Sequence, residues 1–364
     1  MKGTLTHGQV SCLIYAGACG NIVYTFTYVV HVCGRAGWVA VLIGVLLNIP
    51  LAMWILSLGK RFQGKTIFDL IETGLGKFVS GTVVFLYLLV TAANAVCMLN
   101  MTTGAIRVFF LHNTPTTVIM LIFVSICAVC ANSGIFTIGR LIQLLTVMYT
   151  SIYFLGFFLS FAGIFKLEYV FPVFDTTIPA FAEGVWITAG TVAESLLFLM
   201  VLVGAMTHDK SNYRSVRRGL ATWSVILSLA LLIMEGDVGH EMLSRIAEAG
   251  VAVAGVIEIK SFVRGLEIFI IMTYQYLAIC KVIIYLYSSQ ESLKKLFGGK
   301  GGKWMLIIAA LFILVPSIWV NSLNTGYFFS LFLGSYVIPA FVAVILILAS
   351  FGAVRIKKRK GAAA

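Results

Sequence analysis

One carboxylate, Glu194, stands in an apolar run from Val185 to Met206 that is long enough to cross a bilayer. A charge at that depth costs about 2.5–3.5 kcal/mol on insertion scales, so such a residue faces a cavity or a partner. Burial disfavours its charged form, which suits it to proton exchange or to meeting a cationic ligand group. The alternative is a structural acid hydrogen-bonded to a neighbouring helix. Four residues earlier, Gly190 in Trp186-Ile-Thr-Ala-Gly-Thr-Val-Ala-Glu194 marks a place where a spanning helix can open. A second charge, Lys281, lies in the apolar stretch Tyr274-Gln-Tyr-Leu-Ala-Ile-Cys-Lys281-Val. Two readings stand for it: the stem snorkels to the interface, or the ammonium replaces a sodium ion between spans 1 and 8. Thr91, Asn94, Tyr274 and Gln275 are polar at mid-depth and serve either as ligand contacts or as helix–helix hydrogen bonds.

These residues need elements that hold them inside a membrane. The chain has 364 residues, 60% hydrophobic and 11% charged, with a mean hydropathy of +1.01. Too few polar residues remain to cover a soluble surface, so an all-α polytopic membrane protein is predicted. Ten spans are expected, at about 9–31, 38–58, 79–103, 115–132, 140–164, 184–206, 219–235, 266–288, 304–320 and 327–352. No short apolar region with a cleavage site precedes the first, which reads as a retained span. With both termini inside, the inner face holds Lys60, Arg61, Lys65, Lys77, Arg140, Lys210 to Arg218, Lys294 to Lys303 and the basic tail 353–364. The outer face holds only Arg35, Arg107, Lys166, Arg245, Lys260 and Arg264, which sets cytoplasmic termini by the positive-inside rule. The net charge of +12 follows from that rule and from anionic lipid, without nucleic acid.

Two longer connections carry helical patterning, Thr66 to Leu75 after span 2 and Gly239 to Lys260 after span 7. They are equivalent if the domain is a 5+5 inverted repeat, 1–165 and 180–352, a LeuT-like arrangement with broken helices 1 and 6. Gly17-Ala18-Cys-Gly20-Asn21 in span 1 and Gly190-Thr191 in span 6 sit at the depths where such breaks fall. A break exposes amides and carbonyls that can receive a carboxylate and an ammonium.

Other motifs carry no chemistry. Gly59-Lys-Arg-Phe-Gln-Gly-Lys65-Thr66 fits a phosphate-loop spacing, but a membrane helix rather than a strand precedes it, so no nucleotide is expected. Cys127-x-x-Cys130 lies in an apolar helix and reads as packing. Gly239-His-Glu-Met-Leu lacks the second histidine of a zinc site. No metal, no cofactor and no enzyme activity are expected.

The chain resembles the B subunits (GerAB-like spore permeases) of bacterial spore germinant receptors. The similar stretches are Gly34-Arg35-Ala-Gly-Trp38, Lys60 to Asp69 with Leu75-Gly-Lys77, Val192 to Met200, Arg264 to Glu267, and Lys281 to Tyr287. It departs from the family at Ala36-Gly37, where an acid is common, and at Gln63, where a proline is. The resemblance implies the amino acid–polyamine–organocation superfamily, a place in the spore inner membrane, and partnership with an A subunit and a lipoprotein C subunit. It implies a sensor of germinants such as small amino acids, with Glu194 and Lys281 matching the family's span-6 acid and span-8 lysine. The expected ligand site is Gly17, Ala18, Gly20, Asn21, Thr91, Asn94, Gly190, Thr191, Glu194, Tyr274 and Gln275. Glu194 and Lys281 are its proton or sodium-site substitutes, and the alternative is a proton-coupled amino acid transporter.

Overall fold

A computed structural model describes residues 5–19, 22–62, 64–163, 165–206, 210–245, 266–299, 302–323 and 326–361. Among them the chain is helical and contains no strand. Helices α1 (His7–Cys19) and α2 (Ile22–Cys33) form the first expected span, and the residues expected to break it, Gly20 and Asn21, lie outside the described residues between them. A 3-10 turn, Gly34–Ala36, leads to α3 (Gly37–Leu46) and α4 (Asn48–Lys60), which together make the second.

The short α5 (Ile67–Leu75) follows, then α6 (Lys77–Phe109), α7 (Thr116–Asn132) and α8 (Ile135–Gly163). The second half holds α9 (Ile178–Leu202), α10 (Lys210–Val238), α11 (His240–Leu243), α12 (Leu266–Leu296) and α13 (Gly302–Leu323). The last expected span is α14 (Gly326–Phe332), a π-helical turn Leu333–Val337 and α15 (Ile338–Gly361). Among the described residues, seven helical stretches are long and apolar enough to cross a membrane by themselves, among them Thr25–Lys60, which runs through parts of two expected spans. Beyond α11 the expected helical connection to Lys260 lies outside the described residues.

The phosphate-loop look-alike has a structural use. Lys60 ends α4, and Thr66 caps α5: its hydroxyl accepts from the Asp69 amide at 3.3 Å while Asp69 accepts from the Thr66 amide at 2.8 Å. The buried face of α5 (Ile67, Phe68, Leu70, Ile71, Gly74) packs mainly against α15 and α6.

Helix α9 is the axis of the bundle. It packs against α1, α2, α3, α4 and α15, and every residue from Gly190 to Leu202 is buried. A helix apolar all round is stable only when surrounded, and α9 is. The expected opening of this helix at Gly190 is not seen: α9 runs unbroken through it to Leu202, and only Val203–Ala205 tightens to a 3-10 turn. Gly190 serves close approach instead. A Cβ there would stand 2.5 Å from the Gly334 carbonyl oxygen, so the π-helical turn of the last span rests on bare backbone.

The same device joins α5 to α15, where a Cβ on Gly74 would lie 2.6 Å from the carbonyl oxygen of Gly352. Gly81 in α6 has nothing within 4 Å of its Cβ position. Gly74→Ala is therefore expected to lower the thermal unfolding temperature of detergent-purified protein. Gly81→Ala should raise stability by about 0.5–1 kcal/mol through helix propensity alone. Equal effects at the two sites would refute the close-approach account.

Candidate functional site

Helix α12 is amphipathic in a restricted sense: Lys281 and Tyr285, four residues apart, share a face, and that face meets α9. Lys281 Nζ forms an ion pair with Glu194 Oε2, and both side chains are 0% exposed. The Tyr285 hydroxyl donates to the same oxygen at 2.8 Å, and the ammonium lies 5.8 Å from the centre of the Tyr285 ring. No aligned hydrogen bond among the described residues joins the ammonium to anything else, so opposite charge is what holds it.

Two expectations change accordingly. Lys281 does not snorkel; its whole side chain is enclosed. Glu194 is not a lone acid awaiting a proton or a ligand cation, because an ammonium already stands against it. Taking two ions out of water costs several kcal/mol each, and only close contact with supporting hydrogen bonds offsets that cost. Tyr285 supplies one such bond.

The first span flanks this pair. A Cβ on Gly17 would lie 3.3 Å from Ser195 Cα, so the last turn of α1, with buried Gly17 and Ala18, touches the residue after Glu194. From α2, Thr25 Oγ1 lies 3.2 Å from Thr191 Oγ1, which also donates to the Ile187 carbonyl at 2.9 Å. The end of α1 and the start of α2 thus bracket the turn of α9 that carries Glu194. From the last span, Gly334 leaves room beside the other carboxylate oxygen: its Cβ position is 3.7 Å from Glu194 Oε1.

The third span contributes less directly. The Thr91 hydroxyl donates to the Tyr87 carbonyl at 2.9 Å and lies 3.5 Å from Ser289 Oγ of α12. Asn94 donates to the Val90 carbonyl at 2.9 Å, while its own buried Oδ1 has no hydrogen-bond partner among the described residues. Both ends of the Gln275 amide are likewise unbonded. Neither Asn94 nor Gln275 hydrogen-bonds the charge pair. The side chain of Tyr274 lies outside the described residues, as do Gly20 and Asn21.

Sequence reasoning passed over Tyr285 and the serines Ser288, Ser289 and Ser292, all buried on α12. The signal was the spacing from Lys281. It also passed over Gly334, which carries no chemistry of its own.

Among the described residues, cavities also lie away from the pair. One, of about 360 Å³, is lined by Thr66, Asp69, Val201, Ser292, Lys294 and Lys295. There Lys295 pairs with Asp69 and stands 3.0 Å from Glu72, tying α12 to α5. Burial acts to raise the Asp69 carboxyl, but the bonds from Lys295 and Thr66 together outweigh it and hold the group below its ordinary value. At the opposite end, a cavity of about 320 Å³ is lined by His31, Gly34, Asp175, His240, Glu241 and Arg245.

The charge pair makes a stability prediction with a sign. Glu194→Gln or Lys281→Met alone leaves a buried charge without a partner and should cost about 3–5 kcal/mol, whereas the double variant should recover most of the loss. Denaturation of the four proteins in detergent checks this; additive single effects would refute the coupling. For Asp69, the depressed folded value means that its contribution is complete above the ordinary carboxylate range. That contribution is lost as pH falls through the folded value. Hydrogen exchange in α5 should therefore match that of Asp69→Asn only in acid, with the native protein better protected at neutral pH.

The family profile described as "Spore germination protein" (spore permease) matches residues 4–325. Spore germination protein B2 of Bacillus subtilis (strain 168) is 23% identical over 324 residues, covering 86% of this chain and 84% of that protein. Spore germination protein A2 of the same organism is 22% identical over 331 residues, covering 89% and 87%. Among solved structures, Mhp1, a nucleobase-cation-symport-1 family transporter in a closed conformation with bromovinylhydantoin bound, aligns with a TM-score of 0.65. That alignment covers 88% of this chain and 74% of the transporter at 16% identity, and it shows the LeuT-like fold. A multi-pass membrane protein with this fold, matched over residues 4–325, belongs to the spore germination protein (spore permease) family.

Proposed function

We propose that the protein is a germinant-sensing membrane subunit that binds a small amino acid or similar metabolite between spans 1, 3, 6 and 8. The observation that carries this reading is the enclosed Glu194–Lys281 pair beside the junction of α1 and α2. The pair presents one charge of each sign at one depth, the complement of a zwitterion. Backbone groups at the residues between α1 and α2 would receive part of the ligand, with Thr91, Asn94, Tyr274 and Gln275 on its periphery. The unbroken α9 takes the sixth-span backbone out of that role and leaves its side chains, Thr191 and Glu194.

Ligand binding would shift the balance between two packings of the bundle, by as much as the ligand's differential affinity for them. In this reading an A subunit and a lipoprotein C subunit receive the shift in the spore inner membrane. Both termini are then cytoplasmic, and the halves 1–165 and 180–352 are related as inverted repeats. No catalytic step, cofactor, nucleotide or nucleic acid enters it.

A second reading is proton-coupled amino acid transport, favoured by the fold likeness to a cation symporter. Purified protein in liposomes separates the two. The sensor reading expects saturable binding of labelled amino acid without flux, and loss of that binding in Glu194→Gln. Sustained uptake by the protein alone would overturn it in favour of transport. Binding and germination that persist unchanged in Glu194→Gln over a range of pH would remove Glu194 from the site.

A further inference from the structure

A second buried acid lies at the other end of the molecule from α5. Glu235, near the end of α10, is 0% exposed, and neither of its carboxyl oxygens has a hydrogen-bond partner among the described residues. Its Oε1 lies 2.8 Å from the position a Cβ on Gly37 would take, with Val30 and Leu231 beside it. The carboxyl is thus wedged into the bend between α2 and α3, against backbone that carries no side chain. On the next residue, the ring of Phe165 occupies the space beside Gly236, and the Lys166 amide donates to the Gly236 carbonyl at 2.8 Å.

A carboxyl in such a place has three ways to avoid an isolated buried charge. It can pair with a cation, but the nearby Arg35 turns its guanidinium to Asp175, at 3.8 Å, and to the Phe171 carbonyl, at 2.9 Å. It can ligate a metal, but among the described residues no group of three His, Cys, Asp or Glu side chains could hold one. It can carry a proton.

We propose that Glu235 is a proton-binding site at the α2–α3 bend, protonated while α2, α3 and α10 close around it and deprotonated when that end opens. The surrounding charges agree. Cys33 of α2 contributes a thiol, and Asp175, before α9, contributes like charge, while Glu183 lies in the first turns of α9. Asp237 follows on α10 itself, and His240 and Glu241 belong to α11. Lys166 lies over the Tyr169 ring, 5.3 Å from its centre. None of the cations among these bonds Glu235. By linkage, a single proton released on opening shifts the closed–open balance by up to about tenfold per pH unit, alkaline pH favouring the open state. The inference is independent of the ligand reading.

Cys33 reports on the bend directly. It is 0% exposed, and its thiol fills the space beside Gly184 of α9. The test uses full-length protein in nanodiscs with Cys33 as its single cysteine, labelled by a methanethiosulfonate reagent from neutral to alkaline pH. An ionised Glu235 disfavours the Cys33 thiolate and so by itself slows labelling of the parent relative to Glu235→Gln, the opposite of what opening does; a parent-to-variant ratio of rates that rises with pH therefore isolates the opening. The expected ratio rises with pH. Infrared spectra should also show a protonated-carboxyl band at neutral pH that Glu235→Gln removes. Should that variant fold poorly, Glu235→Leu gives the same comparison. A pH-independent ratio, or a band that the substitution leaves unchanged, overturns the proposal.

Discussion

The contact between Glu194 and Lys281 is the constraint around which the bundle is arranged. Helix α9 is enclosed on all sides from Gly190 to Leu202, and such a helix has no route for a charge to reach water. The acid is tolerable there because α12 brings an ammonium and a phenol to one of its oxygens. The demand runs both ways. Lys281 has a stem long enough to reach an interface, yet it is held inside because the carboxylate is nearer than water. The register of α12 against α9 is thereby fixed, and with it the buried serines that follow Tyr285 and the contact of Ser289 with Thr91 of α6.

Neighbouring backbones must come close for that pair to be sealed, and bare glycines let them. Gly17 admits α1 to Ser195, Gly190 admits the π-helical turn of the last span, and Gly334 on that turn lies over Glu194 Oε1. π-helical turns inside α-helices concentrate at functional sites because the extra residue displaces the local backbone. Here the displaced turn rests against the residues of α9 that precede the acid. Small side chains around a buried pair exclude water, which strengthens the attraction and raises the cost of separating the charges.

Composition made the membrane helices legible, and Glu194 and Lys281 announced themselves by rarity in apolar runs. That the two charges touch was not legible, because residues 194 and 281 meet only through the packing of two distant helices. Gly190 shows a different limit. A glycine in a spanning helix permits either a break or a close approach, and the amino-acid type is identical in both cases. What decides is the opposing surface, here the Gly334 carbonyl. Glu235 carried no signal because it falls close to the end of its span and is followed two residues later by Asp237, where an acid ordinarily reads as interfacial.

The two enclosed acids therefore divide the electrostatic roles that a single carboxylate was first asked to fill. Glu194 has Lys281 as its counter-charge, so that pair is neutral overall. Among the described residues Glu235 has no counter-charge within bonding reach, so its state depends on whether water and protons can reach it. On the proposed reading a zwitterionic ligand would act on the first by offering a competing ammonium and carboxylate, and opening of the α2–α3 bend would act on the second by admitting solvent. Helix α2 connects them: its first turns meet α9 at Thr25 and its last turns cover Glu235 through Val30. A displacement of α2 at Thr25 would also alter the cover over Glu235. If the proposed ligand site is the one beside Glu194, occupancy and protonation would be linked through that one helix, without any direct contact between the two acids.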